Sequence, residues 1–131
     1  MCEAFANAGN EVTLLVPSRA KTPATDPFLY VGAEPVFKVV KVPCIAVAAG
    51  SSSPLTYWLR TISFLITSRI YLLLHSHDLV YTRELPGTFL LKNFVYEVHD
   101  ITPRMRARGA ELLKRARALV VLTSYIREEL T

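Results

Sequence analysis

Apolar residues along this chain fall into two kinds of block. Short runs rich in valine, leucine and tyrosine occupy residues 11–16 (EVTLLV), 36–42 (VFKVVKV), 78–82 (DLVYT), 94–98 (FVYEV) and 118–122 (ALVVL). None keeps a strict apolar–polar alternation, which is the habit of strands buried on both faces of a parallel sheet. Between them lie stretches of helical character: residues 2–8, 54–74, 86–92, 102–116 and a last segment to Leu130. Gly9 follows the first, where a positive φ ends a helix. Ser52 or Ser53 is placed to cap the long second one, with Pro54 in its first turn. Pro103 sits at the start of the fourth behind Thr102, and Thr123 or Ser124 caps the last. Residues 27–30 can form one further helical turn. Strands alternating with helices in this way predict an α/β fold with a doubly wound, Rossmann-like parallel sheet, in one domain spanning residues 1–131. Lys38 and Lys41 inside the second strand mark it as a sheet edge, where lysine discourages pairing with another chain.

Composition agrees with a globular chain. Of the 131 residues, 51% are hydrophobic and 20% charged, enough to form a core without disulfides or metals. The net charge of +4 allows contact with phosphate groups or an anionic surface without requiring either. Cys2 and Cys44 lie far apart in sequence and are read as buried free thiols, which favours a reducing, cytoplasmic setting. Residues 54–74 are apolar enough to raise the question of a membrane span. Arg60 and Arg69 interrupt them, so a helix of a globular protein, buried along a wide face, is expected.

In an open parallel sheet, ligands bind beyond the carboxyl ends of the strands. Three tips therefore matter: 81–84, 97–100 and 122–124. Glu97 and His99 are two residues apart and share one side of their strand. A carboxylate in an apolar run needs a partner or the sheet rim. An imidazole can hold or deprotonate a hydroxyl near neutral pH, or it can simply be a satisfied histidine in a strand-to-loop turn. Arg83 can fork onto a phosphate or carboxylate, or pair with Glu84, Glu97 or Asp100. His75 and His77 form an HxH without an evident third ligand, and no metal site is expected. Six basic residues between Arg104 and Arg117 are read on one helix, as a solvated face or as a contact for anionic lipid. No aromatic residues interleave with them, so nucleic acid is not expected as a partner. No GxGxxG, GxxxxGK[ST] or GxSxG is present, which disfavours a self-contained dehydrogenase, P-loop ATPase or α/β-hydrolase.

Several segments, in order, resemble the N-terminal domain of family 4 glycosyltransferases. Residues 3–15 (EAFANAGNEVTLL) are similar to the family's "LA..GHEVTL", with Asn10 in place of the usual histidine. Residues 26–43 are similar to "DPF.YYG…F.I.KLP", residues 78–83 to "D.IYTR", residues 96–100 to "YE.HD", and residues 118–124 to the last strand and turn of the domain.

The resemblance implies half of a GT-B fold: the acceptor side of an enzyme that moves a sugar, with retention, from a nucleotide sugar to a glycan or lipid acceptor. It implies His99 near the reaction centre as the candidate catalytic residue, with Glu97, Asp100, Arg83 and Ser124 on the substrate side. No cofactor is implied, the nucleotide sugar being a substrate. The expected location is the cytoplasm, with peripheral contact at the inner membrane face left open. An alternative is a non-catalytic Rossmann-like domain that docks on a partner.

Two features of the family have no counterpart here: a strand with a Gly-rich loop ahead of the first helix, and a C-terminal domain bearing paired glutamates. In the order 3-2-1-4-5 the first strand is central. Its absence predicts an empty slot between residues 11–16 and 78–82, with unpaired backbone groups costing about 1–3 kcal/mol each if buried. Either those strands close up and pair directly, or the reading frame is incomplete. The latter is expected, with a chain that is poorly stable and inactive alone.

Overall fold

The computed structural model describes residues 1–18, 28, 32, 34–45, 53–99, 111 and 114–130. The elements run α1 (Cys2–Asn7), β1 (Thr13–Pro17), β2 (Lys38–Val42), α2 (Pro54–Leu74), β3 (Val80–Thr82), α3 (Leu85–Thr88), β4 (Phe94–Val98), β5 (Ala116–Val121) and α4 (Ser124–Leu130). Among the described residues all strand pairs are parallel, as the unalternating runs predict, and they form one two-stranded and one three-stranded sheet. The chain is an α/β protein with two compact units, Met1–Tyr71 and Leu72–Thr131. The direct pairing of β1 with β3 that would close the slot is not among the described ladders.

In the first unit, α1 ends at Gly9, whose φ of +88° is free of Cβ strain only for glycine. Asn10 then closes the helix: its side-chain amide donates to the Phe5 carbonyl at 3.0 Å. That satisfies a carbonyl which helix geometry leaves without an intrahelical donor. β1 runs parallel to β2 in the register Thr13↔Lys38 to Pro17↔Val42. Lys38 and Lys41 are exposed, in keeping with an edge. Val42 alone among the described apolar residues of this unit is buried. A two-stranded sheet with so little core is marginal by itself.

Ser53 caps α2, its hydroxyl accepting the Thr56 amide at 3.3 Å, and Pro54 is the first helical residue. Two hydroxyls on α2 tie it to the chain after β2: Thr67 donates to the Pro43 carbonyl at 2.7 Å, and Ser63 accepts the Ile45 amide at 3.0 Å. The wide buried face expected of this helix is not found, because none of its residues is buried. Leu55, Leu59, Ile62, Ile66, Ile70 and Leu73 are exposed at three- and four-residue spacing, which puts them on one stripe. The helix carries more apolar surface than its described neighbours cover. No described helix is long and apolar enough to cross a membrane. Cys2 and Cys44 are free thiols and half-buried rather than buried; the Cys44 thiol donates to the Ser18 carbonyl at 3.0 Å.

The second unit holds the core. β4 lies between β3 and β5, and all five of its residues are buried. Leu91, Phe94, Tyr96, Val98 and Ile126 form the centre, with Leu72, Val80, Leu85, Ala116, Leu119 and Val121 packed around them. α4 is capped by Thr123, whose hydroxyl accepts the Ile126 amide at 3.3 Å. β5 starts two residues earlier than the sequence pattern predicts. Phe94 pairs with Ala116 but Val95 pairs with Ala118, so Arg117 is the extra residue of a bulge. Arg117 therefore belongs to a strand and not to the predicted basic helix. Arg115 is likewise no part of a solvated basic face: its guanidinium donates to the Phe89 and Leu91 carbonyls at 3.0 and 3.2 Å. Arg104, Arg106, Arg108 and Pro103 lie outside the described residues, as does most of the turn expected at 27–30.

Asn93, at the entry to β4, has φ +56° and is exposed. Asparagine tolerates this left-handed conformation and β-branched residues do not. Asn93→Val is therefore expected to cost about 1–2 kcal/mol, and Asn93→Gly to be close to neutral. Urea unfolding of the two variants checks this, and equal midpoints would remove the backbone explanation.

Candidate functional site

Parallel pairing sets the site. Tyr81 lies opposite Val95 and Thr82 opposite Tyr96. Side chains alternate along a strand, so Tyr81 and Arg83 share a face with Val95, Glu97 and His99. At the carboxyl tips of β3 and β4, four polar side chains therefore converge from two neighbouring strands.

Glu97 is the hub. It is 5% exposed, and each carboxylate oxygen has its own partners. The Tyr81 hydroxyl donates a short hydrogen bond to Oε2. The His99 Nε2 lies 2.5 Å from Oε1, and the Arg83 Nε lies 3.9 Å from the same oxygen. The imidazole and guanidinium side chains are 40% and 57% exposed, so the buried carboxylate anchors two groups that reach solvent.

The electrostatics follow from that contrast. The Tyr81 hydrogen bond holds the Glu97 carboxyl below its usual 4.5 against the opposing effect of burial, and His99 and Arg83 act in the same direction as Tyr81. The same contact works in reverse on the phenol. Burial first, then the hydrogen bond to Glu97 and its charge, push Tyr81 up to about 12. Tyr96, on the other face of β4, is also pushed up, by burial and by Glu84. Glu97 is thus an ionised acceptor throughout the neutral range, and Tyr81 a donor.

Of the residues singled out from sequence, the structure brings Glu97, His99 and Arg83 together. The ion-pair reading of Arg83 is correct for Glu97, at a distance and exposure where solvent screens much of the attraction. Ser124 opens α4, three residues beyond the Val98↔Val121 pair, and is exposed; no described hydrogen bond joins it to the cluster. Asp100 lies outside the described residues. Tyr81 was not anticipated. Its signal was available in the strand period, because any residue two before Arg83 must share Arg83's face, but pairing of β3 with β4 had to be known before Glu97 could be its partner.

Elsewhere, the His77 Nδ1 lies 3.0 Å from the His75 carbonyl, and no described group of three His, Cys, Asp or Glu side chains is arranged to hold a metal ion. Comparison of the chain with protein-family models, curated proteins and solved structures gives no match. The cluster can therefore be judged only by its chemistry. A half-exposed imidazole held by a buried carboxylate suits a ligand hydroxyl. A guanidinium beside it suits an anionic group.

Proposed function

We propose that this chain is the acceptor-side, N-terminal half of a retaining family 4, GT-B-fold glycosyltransferase, acting on a nucleotide-sugar donor and a glycan or lipid acceptor. The observation that carries this reading is the Glu97-anchored pair of His99 and Arg83 at the carboxyl tips of parallel strands. That is the side of an open α/β sheet where ligands bind. In the reaction, the bond from the sugar's anomeric carbon to the leaving phosphate breaks and a bond to the acceptor oxygen forms. The acceptor proton goes to that phosphate or to the imidazole. His99 orients the hydroxyl, Glu97 orients His99, and Arg83 offers its exposed guanidinium to a phosphate or carboxylate. The setting proposed is cytoplasmic, with peripheral contact at the inner membrane face left open.

Two measurements test this reading. The coding frame on either side is expected to add a strand with a Gly-rich turn upstream and a second α/β domain with paired glutamates downstream. Saturation-transfer NMR of the chain with methyl glycosides and oligosaccharides is expected to show contacts that His99→Ala removes, with no turnover of nucleotide sugars by the chain alone. Turnover by the chain alone, or flanking frames without those parts, would overturn the assignment.

A second reading is a non-catalytic Rossmann-like domain that docks on a partner. The exposed apolar stripe of α2 favours it. Sugar binding lost with His99→Ala would speak for the enzyme, and its absence beside intact folding for the docking domain.

A further inference from the structure

The Glu97 cluster carries a second layer of order, and this one does not depend on what the ligand is. We infer that Glu97 and Tyr81 are positioning residues that fix His99 as its Nε2–H tautomer, so that Nδ1 is the nitrogen presented to a ligand. A carboxylate only accepts hydrogen bonds, so the imidazole nitrogen 2.5 Å from Oε1 must carry a proton. In the neutral ring the other nitrogen then holds a lone pair. Among the described residues Nδ1 has no partner, and the His99 side chain is 40% exposed.

Tyr81 acts one step further back. Its hydroxyl occupies Oε2, which leaves Oε1 turned to His99 and Arg83. Without it the carboxylate can rotate and share both oxygens among the remaining donors. The β3–β4 ladder fixes the spacing, since Tyr81 sits opposite Val95, two residues before Glu97. The chain Tyr81–Glu97–His99 is therefore built from two adjacent strands of one sheet. Burial of its middle member, 5% exposed, keeps water from competing for the carboxylate.

The consequence is a specificity of sense. While the ring is neutral, the Nδ1 lone pair takes a hydrogen-bond donor, so the ligand group that then meets His99 is a hydroxyl or an amine and not a phosphate oxygen. An anionic group is left to Arg83. This agrees with the acceptor-hydroxyl role proposed above, yet it stands if the ligand proves to be another hydroxylic compound.

Long-range ¹⁵N–¹H correlation spectra of the imidazoles in the full chain, above about pH 8 where an ordinary imidazole is neutral, test the inference. His99 is expected to show a pyrrole-like Nε2, a pyridine-like Nδ1, and a downfield Nε2 proton that exchanges slowly enough to be observed. His77, whose Nδ1 faces a carbonyl, provides the opposite sense in the same spectrum. Tyr81→Phe is expected to speed exchange of the His99 Nε2 proton about tenfold, the weight of one hydrogen bond to a charged group. Glu97→Leu, which removes the acceptor, is expected to abolish that resonance. A proton on Nδ1 in the wild-type chain overturns the assignment outright. An unchanged exchange rate in Tyr81→Phe removes Tyr81 from the chain of positioning residues. Should Glu97→Leu fail to fold, as judged from the amide dispersion of β4, the wild-type and Tyr81→Phe spectra still decide. Failure of sugars to bind leaves these spectra unaffected, so the two conclusions fall separately.

Discussion

Phe94→Ala is expected to unfold the three-stranded unit at room temperature or to leave it with little residual stability. Phe94 has no exposed surface and starts the central strand, between Ala116 on one side and Val80 on the other. It lies in a core whose largest fully buried side chains, among the described residues, are Phe94, Val98 and Thr88. Truncating a buried phenylalanine costs about 3–5 kcal/mol through lost transfer energy and the cavity left behind. A small domain has roughly 0.05–0.15 kcal/mol of stability per residue, so a unit spanning Leu72–Thr131 has about 3–9 kcal/mol in total, and one with so small a core lies toward the lower end. Relaxation cannot refill the site cheaply, because the cluster around it draws on β3, β4 and β5 and on α2, α3 and α4. Val120→Ala provides the contrast, since that residue is 38% exposed and its loss should stay within about 0.5 kcal/mol. Urea unfolding followed by circular dichroism and by the amide dispersion of β4 separates the two. A Phe94→Ala midpoint near that of the wild-type chain would mean that the core is held elsewhere.

The same residues show what the sequence disclosed and where it stopped. The run 94–98 reads as a strand buried on both faces, and each of its residues is buried. Caps were legible as well, because Ser53, Gly9 and Thr123 act through local geometry. Non-local matters were hidden. Nothing local in residues 114–118 announces the bulge at Arg117, which arises from how β5 meets β4. Nor does the apolar composition of 54–74 say how much of it finds a cover; the pattern predicts a buried face and the helix has none. In the candidate site, Glu97 and His99 were legible as a pair because one strand carries both. Tyr81 was not, because its bond to Glu97 spans two strands and depends on their register.

That cross-strand bond leads to the second large effect, and it has a pH signature. Glu97→Gln keeps the size of the side chain and removes its charge. At pH 7 it is expected to cost about 1.5–3 kcal/mol, the range for hydrogen bonds to a charged group. The carboxyl's folded-state pKa lies below its ordinary 4.5, through the Tyr81 hydrogen bond first and then His99 and Arg83. A depressed pKa contributes stability that is fully present above the unfolded value and is lost as pH falls through the folded one. The gap between the wild-type chain and Glu97→Gln is therefore expected to hold from neutrality down to about pH 4.5 and to shrink below it, as the wild-type carboxyl takes up its proton. The alkaline side runs the other way. Tyr81 is raised from 10.0 to about 12, so its contribution is complete below pH 10 and is lost as pH rises through 12. Removing the Glu97 charge and bond lowers that phenol, since both hold it up beside burial. Tyrosinate absorbance is expected to appear at lower pH in Glu97→Gln than in the wild-type chain, and Tyr81→Phe assigns the difference to this residue. Urea midpoints taken across the acid range provide the decisive reading. A penalty for Glu97→Gln that stays constant from pH 7 to well below 4.5 would mean that packing, and not an ionised carboxylate bound to Tyr81, holds these strand tips together.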